Sequence, residues 1–359
     1  MELCDWFSLR SAPQVGNIIF RRLVDHFGSP AAVLKASARE LQRVAGIGPQ
    51  VASAIACHNG GAAAEQEYRA TMRAGVSVVT YRDPCYPALL REIADYPPYL
   101  YVKGELTAIG PAIAIVGSRR ASGYGLMTSA RLARELARQG VTVVSGMARG
   151  IDAAAHRGAL EGGGKSIGVL GCGIDIVYPT ENRRLFAAMA EQGALISEFP
   201  FGTLPLPENF PKRNRLISGI SSGVLVVEAT AQSGSLITAE TALEQGRDVF
   251  AIPGNINSET SRGPNRLIKQ GAKLVESAED IMDELPAMGR RAEKGLTGAA
   301  PELDPKESAL LGVMAALPLH IDEITQKSGL TVGDVSAILL RLELKGVVAQ
   351  LPGKYFALP

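Results

Sequence analysis

Cysteine is scarce in this chain: four among 359 residues, Cys4, Cys57, Cys85 and Cys172, with no C-x-x-C. So wide a spacing excludes a disulfide-stapled framework and a structural metal site; it reads as free thiols in a reducing cytoplasm. The four histidines are scattered as well. Net charge is nearly absent, with 37 Lys+Arg against 36 Asp+Glu and a formal +1. A globally basic nucleic-acid binder is thereby excluded, and any anion site must be a local patch. No run is apolar for long enough to span a bilayer. The opening residues, MELCDWFSLR, carry acidic side chains where a secretory signal needs an apolar stretch. A cytoplasmic protein without a membrane partner is expected.

Familiar catalytic signatures are missing too. There is no G-x-x-x-x-G-K-[ST]; the glycine-lysine pair in EGGGKS (161–166) lacks the first glycine and precedes an apolar run instead of following one. No carboxylate cluster suggests a two-metal nuclease. Asp152 and His156 share a helical face, but no nucleophile completes a set. Asp152 reads as a cap or orienter of nearby arginines, and His156 as a packed residue. No catalytic residue, metal or cofactor is expected.

What is present is a large apolar content, 46%, in a chain long enough for two or three domains. Residues 1–75 read as helices. Within LQRVAGIGPQVASAIA (41–56), Gly46 and Gly48 permit a tight turn and Pro49 suits the first position of a helix, a helix-hairpin-helix pattern of the SAM-like kind. Its free amides suit a phosphate; the alternative is a hairpin packed on the next domain, and only Arg43 supplies a flanking cation. Residues 76–110, rich in tyrosine and proline, read as an ordered strap.

Apolar runs at 112–117, 141–146, 166–171, 194–199, 223–229, 248–254 and 272–276 alternate with helical patterns. Continuous apolar strands are those covered on both faces. The fold class is therefore α/β, an extended Rossmann-like, doubly wound, mostly parallel sheet spanning, with the strap, residues 76–285. Residues 286–305, PAMGRRAEKGLTGAAPELDP, read as a linker. Residues 306–359 give helical patterns near 306–316, 320–328 and 332–345, then a hairpin around Pro352-Gly353: a winged helix-turn-helix.

Ligands of such sheets sit at the carboxyl ends of the strands, and polar residues gather there. AIAIVGSRRASGYG (112–125) starts like a dinucleotide-binding turn, yet G-x-G-x-x-G is missing and two arginines occupy the turn. The candidates are Gly117, Ser118, Arg119 and Arg120 after the first run, and Arg149 after the second. Phe210, Lys212, Arg213, Asn214 and Arg215 follow the fourth, and Ser233, Gly234 and Ser235 the fifth. Alone, FPKRNR is an ordinary charged turn and QSGSLIT an ordinary helix cap. Together, several cations and amide-rich turns suit a chain of phosphates. Phe199, Phe201 and Phe210 are candidates for base stacking, Phe199 more simply as core.

VGSRRASGYG, SGMARGIDAAAH, YPTENRRL, FPKRNRLISG, SGSLITAETALEQGRDVFAIPGN and GPNRLIKQGAKLV, in that order, resemble the DNA-processing protein A family. The resemblance implies a non-enzymatic protein that binds single-stranded DNA, protects incoming DNA and helps load the recombinase RecA in natural transformation. It implies a homodimer, with contacts placed at Leu267, Ile268 and Leu274. It assigns Gly117–Arg119 and Arg213–Arg215 to the DNA pocket. Some members carry a lysine after the Tyr-Pro of the third loop; here Thr180 stands there, leaving Arg183 or Arg184 to supply a cation. A Rossmann-like phosphoribohydrolase is the competing reading, but its Pro-Gly-Gly-x-Gly-Thr turn is replaced by Ser-Gly-Ser-Leu-Ile-Thr. A transcription factor would need a basic recognition helix, and VGDVSAILLRLELKG offers only Arg341 and Lys345.

Overall fold

The computed structural model describes residues 2–107, 109–285, 304–314, 319–345, 347–351 and 354–357. The chain divides into two compact units, one up to residue 289 and the other from residue 290. Nearly all of the segment read as a linker lies outside the described residues.

The first unit begins with helices α1 (Glu2–Ser11), α2 (Asn17–Phe27), α3 (Pro30–Lys35), α4 (Ala38–Leu41), α5 (Pro49–Ala56) and α6 (Gly61–Arg73). Pro49 starts α5 as read, and Gly46 turns the preceding loop at φ +85°. The strap supplies two strands, β1 (Ser77–Thr80) and β2 (Tyr99–Gly104). Seven more follow: β3 (Ala112–Val116), β4 (Thr142–Ser145), β5 (Ser166–Val169), β6 (Ala194–Ser197), β7 (Gly223–Val226), β8 (Asp248–Ala251) and β9 (Lys273–Leu274). Between and after them lie α7 (Gly123–Arg138), α8 (Ile151–Glu161), α9 (Arg183–Gln192), α10 (Asn209–Ile220), α11 (Gly234–Glu244), α12 (Arg262–Lys269) and α13 (Ala278–Met282).

All nine strands form one sheet in the order β1-β2-β6-β5-β4-β3-β7-β8-β9. From β6 to β9 every pairing is parallel, whereas β2 runs antiparallel to both β6 and β1. The strand order reverses between β3 and β7, the switch point where open α/β sheets leave a crevice. Alternate residues serve opposite layers, as the pleat requires. Ile113, Ile115, Val143 and Leu225 pack under α7 and α8, with Leu132, Leu136 and Ala155. Ala114, Val116, Val144 and Val226 pack under α10 and α11, with Leu216, Ile217 and Ala239.

The N-terminal helices do not stand apart. Trp6, Phe7 and Leu9 of α1 share a core with Tyr99 and Tyr101 of β2 and with Leu195 of β6. Phe7 meets both tyrosine rings, at centroid distances of 5.4 Å and 5.9 Å.

The second unit holds α14 (Pro305–Val313), α15 (Ile321–Ser328), α16 (Val332–Leu344) and a sheet of β10 (Leu319–His320), β11 (Ala349–Leu351) and β12 (Tyr355–Ala357). This is the three-helix and hairpin plan of a winged helix. The expected turn residues Pro352 and Gly353 lie outside the described residues. Val335, Ile338, Leu339 and Leu342 of α16 are buried in the unit's own core.

Candidate nucleic-acid interface

A cleft of about 780 Å³ opens at the carboxyl ends of β3 and β7. Its walls are the loop after β3, one face of α10, the start of α11 and the turn at Glu259–Thr260. The β3 loop is held from below: the Ser118 amide donates to the Glu228 carbonyl at 2.7 Å, and the Arg120 amide donates to the Ser118 hydroxyl at 3.1 Å. Ser118 thus shapes the loop, while the Arg119 and Arg120 side chains stand exposed at the cleft's edge. Neither arginine, nor Lys212, has an ion-pair partner among the described residues.

The start of α7, where a Rossmann-like fold usually receives a pyrophosphate, is already occupied by the chain itself. The Glu228 carboxylate accepts from the Ser122 amide at 2.9 Å and from the Ser122 hydroxyl at 2.5 Å. A second anion there would meet a buried carboxylate. The start of α11 differs. Ser233 caps it, its hydroxyl accepting from the Ser235 amide and meeting the Ser235 hydroxyl at 2.7 Å, and Ser233, Gly234 and Ser235 all line the cleft. No carboxylate bonds to these three residues among the described hydrogen bonds, so this helix start turns its partial positive charge toward the cleft.

A smaller lobe of about 220 Å³ adjoins the arginines. Arg119, Arg120 and Arg149 rim it; Met147, Leu170, Cys172, Tyr178 and Phe210 line it. The Tyr178 and Phe210 rings lie 5.7 Å apart, and the Arg119 guanidinium sits 5.2 Å from the Phe210 centroid. Glycine at 171 is a packing requirement, since a Cβ there would come within 2.9 Å of the Phe210 ring. Arg149 is exposed and paired with Glu181 at 3.2 Å.

Of the three clustered cations, the structure separates what the sequence grouped. Arg213 is buried: its Nη1 donates to the Gly146 carbonyl at 2.7 Å and to the Val169 carbonyl, so it ties the ends of β4 and β5 together. Gly146 has to be glycine, because a Cβ would lie 2.5 Å from that guanidinium. Burial pulls the Arg213 pKa down to about 10, which leaves it charged at neutral pH, beside buried Asp152. Arg215 points away from the cleft and pairs with Asp95 at 3.0 Å and with Glu198. Its charge is spent inside the protein, which corrects its grouping with the cleft cations. Lys212 is exposed on α10 but does not line the cleft, whereas Asn214 does.

Other expectations resolve similarly. Asp152 accepts from the Ala148 amide at 3.3 Å and, although buried, forms part of the cleft wall near Arg213, whereas His156 is fully buried against the Ser166 hydroxyl at 2.8 Å and lines neither lobe. Phe201 packs on Tyr101, outside the cleft, so of the three phenylalanines Phe210 lines it, together with Tyr178. Arg183 and Arg184 are exposed but line neither lobe. Leu267, placed at the dimer contact by the resemblance, is core at 8% exposure; Ile268 is half-buried, and Leu274, on edge strand β9, is exposed. In the second unit, buried Glu307 takes Arg341 of α16 at 3.3 Å and Lys345, the residue after that helix, at 2.5 Å. Sequence reasoning passed over Tyr178, although it sits in a quoted motif, and Glu228. The signal for Glu228 was a carboxylate directly following the apolar run GVLVV.

Residues 77–286 match the family of DNA recombination-mediator protein A. Residues 295–354 match the DprA winged helix domain and residues 6–58 a helix-hairpin-helix motif. Protein Smf of Escherichia coli (strain K12) is 45% identical over 76% of this chain and 75% of its own length. Protein Smf of Synechocystis sp. is 34% identical over 98% of both chains. The X-ray structure of DNA processing protein A from Streptococcus pneumoniae superposes with a TM-score of 0.70 at 35% identity, covering 80% of this chain and 99% of that one. The structure reporting the single-stranded DNA binding mode of DNA processing protein A from Helicobacter pylori matches with a TM-score of 0.54 at 30% identity, over 58% of this chain and 95% of that one.

Proposed function

Since this chain belongs to the DNA recombination-mediator protein A family, we propose that it binds single-stranded DNA in the cleft between β3 and β7. It does so without catalysis or cofactor, as a homodimer in the cytoplasm. It protects incoming strands and hands them to the recombinase RecA in natural transformation and recombination. The division of labour follows the sequence: residues 76–285 hold the strand, 1–75 and 306–359 are accessories, and 286–305 link the last of them.

The observation that carries this reading is the pairing of charges around the cleft. Among the described residues Arg119 and Arg120 have no ion-pair partner, and the start of α11 lines the same cleft, while Glu228 fills the place a dinucleotide would use. Arginine suits the task because its planar fork makes two charge-assisted bonds to one phosphate. Tyr178 and Phe210 at the edge supply faces for bases, a sequence-tolerant contact. Gly117, Ser118 and Arg213 shape this surface; Arg120, Arg149, Asn214 and Ser233–Ser235 complete it, with Lys212, exposed on α10 outside the cleft wall, as a further cation. The hydrolase alternative lacks its Pro-Gly-Gly-x-Gly-Thr turn, for which Ser-Gly-Ser-Leu-Ile-Thr stands at the start of α11.

A gel shift with single- and double-stranded DNA of one sequence, alongside a nucleotide-release assay, tests the reading. Preferential retention of the single strand and no base or phosphate release is the expected result. Turnover of a nucleotide, or preference for duplex, rejects it.

A further inference from the structure

The helix that faces the cleft is gripped from its other side. Arg215 of α10 binds Asp95 of the strap at 3.0 Å and also binds Glu198, whose side chain is only 9% exposed. Asn17, the first residue of α2, joins the same knot: its amide donates to the Asp95 carbonyl at 3.0 Å and to the Glu198 carboxylate at 3.5 Å. The grip extends along the helix. Gln245 of the α11 end donates to the Arg215 carbonyl at 3.1 Å, and Gly219 lies against Leu90 and Ile93 of the strap. Arg21 of α2 stacks 3.5 Å from the Tyr96 ring and donates to the Ala94 carbonyl. Asparagine at the first turn of α2 and arginine on α10 are therefore linked through two acidic partners, although they are almost two hundred positions apart in sequence.

Two residues back on α10, Arg213 holds the ends of β4 and β5; one residue back, Asn214 lines the cleft, as does Phe210. The helix is clamped on both sides, one clamp set by the sheet and the other by the N-terminal helices. We infer that Arg215 is a positioning residue: with Glu198, Asp95 and Asn17 it sets where α10 presents Phe210 and Asn214, so that the N-terminal helices tune strand affinity without touching the strand. This rests on the single-strand reading above. Partly buried ion pairs of this kind have two defined states, made and broken, which is what lets a contact on one side of a helix be felt on the other.

The test is fluorescence anisotropy of the full chain with labelled oligo-dT over a salt series, with melting curves, for the wild type, Arg215→Met, Arg215→Lys, Asn17→Ala and the Asn17→Ala/Arg215→Met double variant. Arg215→Met is expected to weaken dT binding about three- to tenfold with the wild-type salt slope. Arg215→Lys, which keeps the charge but not the fork, should restore part of the loss. Asn17→Ala should weaken binding in the same sense, and the double variant should be no worse than Arg215→Met, because the two act through one knot. A slope lower by about 0.7 in Arg215→Met means direct phosphate contact and overturns the inference. So does wild-type affinity in a folded Arg215→Met, or additive losses in the double variant. If Arg215→Met fails to fold, Asn17→Ala decides alone: unchanged affinity with an unchanged melting curve overturns the proposal. Absence of dT binding by the wild type instead overturns the reading on which it rests.

Discussion

His156 shows how a single side chain carries a measurable signature. It is fully buried between α8 and β5, and burial, with Arg213 and Arg157 nearby, pushes its pKa down to about 3 from 6.5. Above pH about 6.5 the ring is neutral in both the folded and the unfolded chain. Below that, the unfolded chain takes up a proton that the folded one refuses, so stability falls as the pH drops toward 3. Burial acts oppositely on Glu67, Asp152 and Glu198, whose raised carboxyl pKa values favour the folded state on acidification. The informative quantity is therefore a difference between variants. Between pH 6.5 and pH 5 a folded His156→Asn protein should lose about 2 kcal/mol less stability than the wild type. Denaturant melts at the two pH values check this; equal losses would mean that the imidazole is not held neutral.

At the scale of elements, the strands were legible because both faces of the sheet are covered, which writes each strand as an unbroken apolar run. All seven runs contain a strand, each shorter than its run. The strap was legible as ordered but not as two sheet strands, since β1 and β2 are short and their antiparallel pairing leaves no local pattern. The site was legible by place and not by partner. That residues 117–120 and 233–235 line one cleft follows from strand-end positions. That Arg215 turns away toward Asp95, 120 positions earlier, depends on a contact that spacing cannot reveal. The edge strand β9 gives a second prediction. Leu274 is 42% exposed there, Ile268 is half-buried, and Leu267 belongs to the core. Leu274→Glu should give a folded monomer by light scattering if this edge is the dimer contact. A persistent dimer rejects the placement, and loss of fold would make Leu274 a core residue after all.

At the scale of the whole molecule, every residue that lines the cleft lies before residue 261, and the second unit has its own core. Its recognition helix, with the residue after it, spends Arg341 and Lys345 on Glu307, and it exposes Val332 and Leu340. A chain ending at Gly289 should therefore fold alone and bind oligo-dT within a few-fold of the full chain. A folded truncation that loses more than about tenfold, roughly 1.4 kcal/mol, would give the winged helix a principal share of the strand site. The measurement that bears most directly on the central claim is the salt dependence of oligo-dT binding by the wild type and by Arg119→Ala. If Arg119 meets a backbone phosphate, the variant binds more weakly and its log–log salt slope is shallower by about 0.7, with Arg119→Lys rescuing only part of the affinity. A folded Arg119→Ala protein with the wild-type affinity and slope would contradict the placement of single-stranded DNA in this cleft.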